Sequence, residues 1–362
     1  MTLHTTTPKQ DGFRMPGEFE PHAGCWLTWP YRPDVWRDNA GPAQQAYAAV
    51  AAAISQFEPV SILVTPGQDK QARALLPTDT SLVPINSDDA WLRDSGPSFL
   101  VNDAGELRGV DWGFNAYGGY HEGLYFPWDN DALVASRVLQ EAKAGRYKAP
   151  ITLEGGAIHV DGQGTLLTTR DCLLNPNRNP DLSQSEVELI LQEYLNLEQI
   201  LWLDCAVAGD ETGGHIDQLA CFARPGEIIL SWTEDQKSPY YDVVHTAYEA
   251  LAGQRDAHGR QLKIHKLPVA EPMFLTKEEA AGILPTGHAL PREEGMPIAD
   301  CYINFYLANG GVVVPTFNQP NDRLAMQKLT EIFPERQVVG VPAREIGIGG
   351  GLIHCITQQQ PA

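Results

Sequence analysis

The sequence predicts an α/β fold in which strand-strand-helix-strand units close into a ring, and three observations point there. One order of elements (strand, turn, strand, helix, strand) recurs along the chain. A run near each end lacks the partner that this order demands. Finally, the 362 residues exceed the roughly 250–300 at which a single core stops growing, so two domains or a modular array is required.

Residues 1–15 read as a flexible lead-in. A short apolar strand spans Cys25 to Trp29, an alanine-rich stretch with helical spacing runs from Ala43 to Phe57, and Val60 to Val64 is a buried-type strand. Ser98 to Asn102 and Leu107 to Trp112 then flank a turn at Asp103-Ala-Gly105, and a helix near Asp131–Ala144 and a strand at Ile151–Leu153 follow. The second unit has strands Ala157 to Val160 and Thr165 to Thr169, a helix near Ser183–Tyr194 and strand Ile200 to Leu203. The third has Ile216 to Phe222, Glu227 to Trp232, a helix near Tyr240–Ala252 and Leu262 to Leu267. After an insertion from Pro268 to Ala299, the fourth has Cys301 to Leu307, Gly311 to Pro315, a helix near Asp322–Ile332 and Gln337 to Val341. The strand read around Cys355 has no hairpin mate, and Cys25 to Trp29 has no strand before it. Joined, they make a fifth unit, and a ring of such units removes sheet edges. A doubly wound sheet with an appended domain is the alternative; it accounts poorly for the hairpins, because parallel sheets need crossover connections. In the ring reading the chain is a single catalytic domain, 1–362.

A net charge of −20 disfavours nucleic acid and anionic membranes as partners and favours a small cationic ligand. The six cysteines, Cys25, Cys172, Cys205, Cys221, Cys301 and Cys355, form no C-x-x-C pair, which argues against a zinc site and a disulfide framework. No N-terminal apolar region of the secretory kind and no run of about 18 apolar residues is visible, so a cytoplasmic protein is expected.

Three polar residues bounded by glycine stand just ahead of the first strand of successive units: Asp94, Glu154 and His215. In a ring, equivalent positions face one axis, so these side chains should converge with Cys355. Alternation places Asp217 on the same strand face as His215, and by the same rule turns His354 away from Cys355. A thiol needs a base or a cation beside it to become thiolate, and a histidine next to a carboxylate moves protons both ways. Further carboxylates would repel an oxyanion but suit a guanidinium, whose donors match carboxylates in pairs. Trp91 could supply a stacking wall. The chemistry implied is thiolate attack on a guanidinium carbon.

The chain resembles the agmatine deiminases of the guanidine-modifying (pentein) superfamily, related to bacterial peptidylarginine deiminases. The motifs that carry the resemblance include Met15-Pro-Gly-Glu-Phe-Glu-Pro-His22, Asp89-Ala-Trp-Leu-Arg-Asp-Ser-Gly-Pro97, Leu153-Glu-Gly-Gly156, Asn175-Pro-Asn-Arg-Asn-Pro180, Glu211-Thr-Gly-Gly-His-Ile-Asp217, Tyr302-Ile-Asn-Phe-Tyr306 and Gly349-Gly-Gly-Leu-Ile-His-Cys-Ile-Thr-Gln-Gln359. Leu352 and Gly213 depart from the family pattern. The resemblance implies a five-bladed α/β propeller and a homo-oligomer without metal or organic cofactor, acting in putrescine and polyamine synthesis. It implies Cys355 as nucleophile, His215 as general acid and base, Glu154 as the carboxylate holding it, and Asp94 and Asp217 as guanidinium clamps. Gly350 joins Trp91 among the substrate-binding residues, and the primary amine of agmatine is expected to meet acidic residues drawn from Asp88, Asp210 and Glu211. The alternative within the superfamily is an arginine or peptidylarginine deiminase. A ring that only binds cationic ligands is the alternative outside it.

Overall fold

The computed structural model describes residues 1–204, 207 and 210–362, and Cys205 lies outside them. Its first strands are β1 (Leu3–His4), β2 (His22–Thr28), β3 (Val60–Val64) and β4 (Ser81–Pro84). There follow β5 (Ser98–Val101), β6 (Leu107–Gly113), β7 (Gly145–Thr152), β8 (Ile158–Val160), β9 (Thr165–Thr169) and β10 (Gln199–Leu203). The chain continues through β11 (Ala220–Arg224), β12 (Glu227–Trp232), β13 (Lys263–Pro268), β14 (Tyr306–Ala308), β15 (Gly311–Thr316), β16 (Gln337–Pro342) and β17 (Thr357–Pro361).

These strands form five separate mixed sheets with one recurring pattern. The first strand pairs antiparallel with the second, and the second pairs parallel with the third, in β5-β6-β7, β8-β9-β10, β11-β12-β13, β14-β15-β16 and β17-β2-β3. Four of the antiparallel pairs are hairpins whose turns contain Gly105, Gly164, Gly226 and Gly310, all at positive φ, where a Cβ is costly. The parallel pairs need longer crossovers, which carry the helices. The fifth antiparallel pair has no turn: β17 aligns Thr357 with Leu27 and Gln359 with Cys25. The five sheets set aside the single doubly wound sheet.

Three crossover helices also touch the preceding unit. Gly41–Ile54 packs on β15 and β16, Tyr241–Leu251 on β10 and β12, and Pro320–Ile332 on β13 and β16. Alanines at 43, 46, 48, 51 and 53 of the first helix are buried and let it approach a sheet closely, and Pro42 sits in its first turn. One apolar cluster accordingly runs from Leu27 and Ile62 through Val50 to Val313 and Val341. Among the described residues no helix is long and apolar enough to cross a membrane.

Several expectations are corrected. Residues 1–15 are docked: β1 pairs with β7, Arg14 bridges Val101, and the Phe13 side chain is fully buried. The run from Ile216 opens as a single 3-10 turn, Ile216–Gln218, with strand only from Ala220. The run from Cys301 becomes strand only at Tyr306, and Cys355 lies in a helical turn, Ile353–Ile356, ahead of β17. In all three cases a polar side chain turns inward just before the ladder begins. β4 and the helix Asp69–Leu75 were not legible in the sequence.

Candidate active site

Asp94 lies in a helical turn (Leu92–Ser95) ahead of β5, Glu154 precedes β8, and His215 and Asp217 precede β11. Asn304 precedes β14 and Cys355 precedes β17. Every sheet therefore delivers at least one polar side chain from the same topological place, and all six are buried.

Gly156 marks where they meet. A Cβ there would lie 2.6 Å from His215 Nδ1 and 2.9 Å from both Asp217 Oδ2 and Asp94 Oδ1. Its backbone N–H donates to Asp94 Oδ1 at 2.8 Å, and the Tyr117 hydroxyl donates to Asp94 Oδ2 at 2.8 Å. His215 sits between two carboxylates, with Nδ1 3.9 Å from Asp94 and Nε2 3.9 Å from Glu154. Neither ring nitrogen hydrogen-bonds to a described residue. Glu154 is braced by Arg178, whose Nε donates to it at 2.7 Å.

The Cys355 thiol faces Asp217 Oδ2 at 3.5 Å and receives Asn304 Nδ2 at 3.2 Å. Asn304 Oδ1 accepts the His354 N–H at 2.9 Å, fixing the turn that holds the sulfur. His354 does not turn idly away, as strand alternation implied. In the helical turn its Nδ1 lies 2.9 Å from Asp217 Oδ2 and its Nε2 2.8 Å from Glu18, which also binds Arg93 at 3.0 Å. Asp217 Oδ1 is left buried and unpartnered.

Burial raises the Cys355 thiol well above its usual range, and Asp217 and Asp94 push the same way. The resting group is the thiol. Burial works against protonated His215, but the Asp94 carboxylate, Cys172 and Asp217 together outweigh it and hold the imidazole well above the ordinary histidine value. Asp94 itself is raised to about 6 by burial, in spite of His215. Asp217 goes the other way: burial is outweighed by the hydrogen bond from His354 together with the charges of His354, His215 and Arg93, and its carboxyl is lowered. The site thus holds a proton donor, a masked nucleophile and carboxylates with one unused acceptor, an arrangement for a flat cation with N–H donors.

The outer candidates separate. Asp88 accepts the Asn130 backbone N–H at 2.7 Å and its side-chain amide at 2.9 Å, bracing the start of helix Asp131–Glu141. Asp210 accepts from Thr212 N at 2.8 Å, Gly214 N at 2.5 Å and His215 N at 3.1 Å, so it shapes the histidine loop. Glu211 alone of the three lies at the glycine run, with Oε2 2.6 Å from where a Gly350 Cβ would be. The Trp91 indole borders Gly349 and Gly351, and Gly351 also abuts Cys355. Asp89 fixes the ring by accepting N–H groups from Trp91 at 2.9 Å and Trp36 at 2.8 Å.

Sequence reasoning missed Asn304, Arg178 and Glu18, all within motifs quoted above, and Tyr117, which lies outside them. Asn304 occupies the fourth unit's counterpart of Asp94 and was passed over because it carries no charge. Among the described residues two groups could offer metal ligands, Glu18–His159–His354 and Glu154–Cys172–His215. Each contains a glutamate already neutralised by an arginine, Arg93 or Arg178, which opposes a second cation. The five described cysteines are free and buried.

A sequence model of the Porphyromonas-type peptidyl-arginine deiminase family matches residues 14–361. The chain is 51% identical to an agmatine deiminase of Pseudomonas aeruginosa over 364 aligned positions, covering 100% of this chain and 99% of that one. A solved agmatine deiminase of Enterococcus faecalis superposes with a TM-score of 0.97 at 47% identity, covering 100% and 99% of the two chains. A C. jejuni agmatine deiminase, a cysteine-to-serine variant with substrate bound, superposes at 0.83 with 25% identity over 97% and 96%.

Proposed function

The chain belongs to the Porphyromonas-type peptidyl-arginine deiminase family, and from that premise we propose that it is an agmatine deiminase, hydrolysing agmatine to N-carbamoylputrescine and ammonia. The agmatine deiminases it resembles at about half identity over full length support the substrate. The observation that carries the chemistry is the buried Asp217 carboxylate, with Oδ2 3.5 Å from the Cys355 thiol and Oδ1 without a partner among the described residues, in one site with a charged His215.

Agmatine's guanidinium lies between Asp94 and Asp217, and its positive charge relieves the repulsion that keeps Cys355 protonated. A cation enters and the thiol proton leaves for solvent. The Cys355 sulfur then bonds to the guanidinium carbon, and His215 gives its proton to the departing nitrogen. Ammonia leaves, and an S-alkylthiouronium remains on Cys355. His215, now neutral, takes a proton from water as that water attacks the same carbon. The C–S bond breaks as the adduct's hydroxyl loses its proton to the leaving sulfur, giving the ureido product and the Cys355 thiol, with His215 protonated again. Glu154, braced by Arg178, holds the histidine's charge in both half-reactions. Trp91 walls the aliphatic chain, and Glu211 beside Gly350 receives the terminal ammonium. In this structure the Glu211 carboxylate is paired with Arg292.

The same reading makes the five sheets blades of a propeller around this site. Its support is the fivefold recurrence, the β17–β2 pair and the delivery of a site residue ahead of each first strand. A cytoplasmic homo-oligomer supplying putrescine synthesis completes the proposal.

The test is ammonia release from agmatine, arginine and a blocked arginine peptide in parallel. Agmatine should be turned over fastest, and faster turnover of arginine overturns the substrate. Cys355→Ser should release no ammonia yet bind agmatine by calorimetry; turnover by that variant would exclude the covalent route.

A further inference from the structure

The insertion between the third and fourth units places one side chain at the site. Residues 288–290 lie against the loop at 124–126: Phe126 N–H donates to His288 O at 2.7 Å, Leu290 N–H to Leu124 O at 2.9 Å, and Tyr125 bridges Ala289. Two residues further on, Arg292 reaches the glycine run. Its guanidinium engages Glu211 with two nitrogens, NH1 on Oε1 and NH2 on Oε2 at 2.6 Å, and NH2 also donates to Gly349 O at 3.1 Å. Both side chains are largely buried, at 8% and 17% exposure. A Cβ on Gly350, which has φ +109°, would meet Glu211 Oε2 at 2.6 Å and Arg292 NH2 at 3.4 Å. The next residue, Gly351, would meet Trp91 at 2.6 Å and the Cys355 sulfur at 3.1 Å. Consecutive Cα atoms are about 3.8 Å apart, so the ion pair lies one residue from the nucleophile's contact, within the span of a four-carbon diamine derivative.

We propose that Arg292 is an internal competitor for the substrate's ammonium: its guanidinium occupies the Glu211 carboxylate in the free enzyme and must yield it when a dicationic guanidine binds. The proposal rests on the agmatine reading and adds a selection step to it. A carboxylate as buried as Glu211 would be costly to leave unpaired between turnovers, and Arg292 supplies the counter-charge. A substrate with a terminal ammonium can replace it, while a guanidine ending in a methyl group cannot. Because the exchange trades one ion pair for another, the competition taxes substrate binding and leaves the bond-making step alone.

The experiment measures KM and kcat of the full chain for agmatine and for n-butylguanidine, which lacks the ammonium. Arg292→Met keeps the apolar stem. It should lower KM for agmatine by about three- to tenfold, the range expected for one partly screened ion pair, with kcat within about twofold. KM for n-butylguanidine should not fall. Glu211→Gln should raise KM for agmatine and not for n-butylguanidine. A raised or unchanged agmatine KM in Arg292→Met, or an equal fall for both guanidines, overturns the competitor. Arginine turnover that Arg292→Met abolishes would instead make Arg292 a carboxylate receptor and also overturn it. If the unmodified chain fails to turn over agmatine at all, the substrate reading has failed first, and the two failures are distinct. Circular dichroism on each variant excludes misfolding as the source of a raised KM.

Discussion

Asp217 shows how one carboxylate serves two purposes. Its Oδ2 faces Cys355 and His354, while its Oδ1 has no partner among the described residues. His354 therefore acts as a positioning residue: it fixes the clamp's orientation and keeps it ionised, backed by Glu18 and Arg93. His354→Gln should lower kcat/KM for agmatine by roughly 10- to 100-fold, the worth of one charge-assisted hydrogen bond, and shift the acid limb of the pH profile upward. In the unmodified enzyme that limb should lie near pH 6, where Asp94 takes up a proton. Asp94 is charged above that value and neutral below it, so kcat/KM should fall about tenfold per pH unit on the acid side. A profile flat from pH 7 to 5 would exclude Asp94 as an ionised clamp. Cys355, His215, Asp94, Glu154 and Asp217 were legible because each is a titratable residue at a repeated position. Asn304 shares the position without a charge, and Glu18 meets His354 across 336 residues of chain, a separation no local pattern reports. Asp88 and Asp210 drew notice for charge alone, and their acceptors turn out to face backbone N–H groups.

At the scale of elements, the second strand of each glycine hairpin was readable to within a residue or two, whereas the starts of β11 and β14 were placed four and five residues early, because the turns ahead of them were not legible. Ile216–Gln218 and Ile353–Ile356 look β-prone from their isoleucines, yet each coils to aim a polar side chain inward. The burial pattern of a strand and of a single helical turn is too short to separate by period. Gly155–Ala157 is the sharpest case, since the space beside Gly156 is the site itself. Gly156→Ala should leave the melting temperature within a few degrees, since ordinary φ/ψ is kept and about one methyl is added. Activity should fall by at least about a hundredfold, because the methyl displaces the guanidinium. Near-normal kcat/KM in this variant would show that the substrate does not lie between Asp94, Asp217 and His215.

For the whole molecule, the unit count in the sequence anticipated the pairing of β17 with β2, the feature that ties Cys355 to the first-made part of the chain. Beyond the paired strands, Ala362 N–H donates to Pro21 O at 3.0 Å and Trp26 Nε1 to Gln360 Oε1 at 2.9 Å. Deleting residues 357–362 keeps the nucleophile and removes the strand. It should cost about 3–5 kcal/mol for the lost ladder bonds alone, read as a lower urea midpoint, and abolish activity although Cys355 remains. An unchanged midpoint would mean that β2 does not need its partner. What the sequence could not convey is how the units face one another, since that depends on helices such as Gly41–Ile54 packing on a sheet made some 260 residues later.

That pairing also orders events on the ribosome. β2 and β3 are translated early, and β2 then waits with an open hydrogen-bonding edge while the strands of four other sheets are completed. A waiting edge is a template for pairing with another chain, so the protein is exposed to cross-chain association until β17 arrives. The catalytic sulfur cannot be set in place before the strand that quenches that edge, and activity therefore reports completed closure.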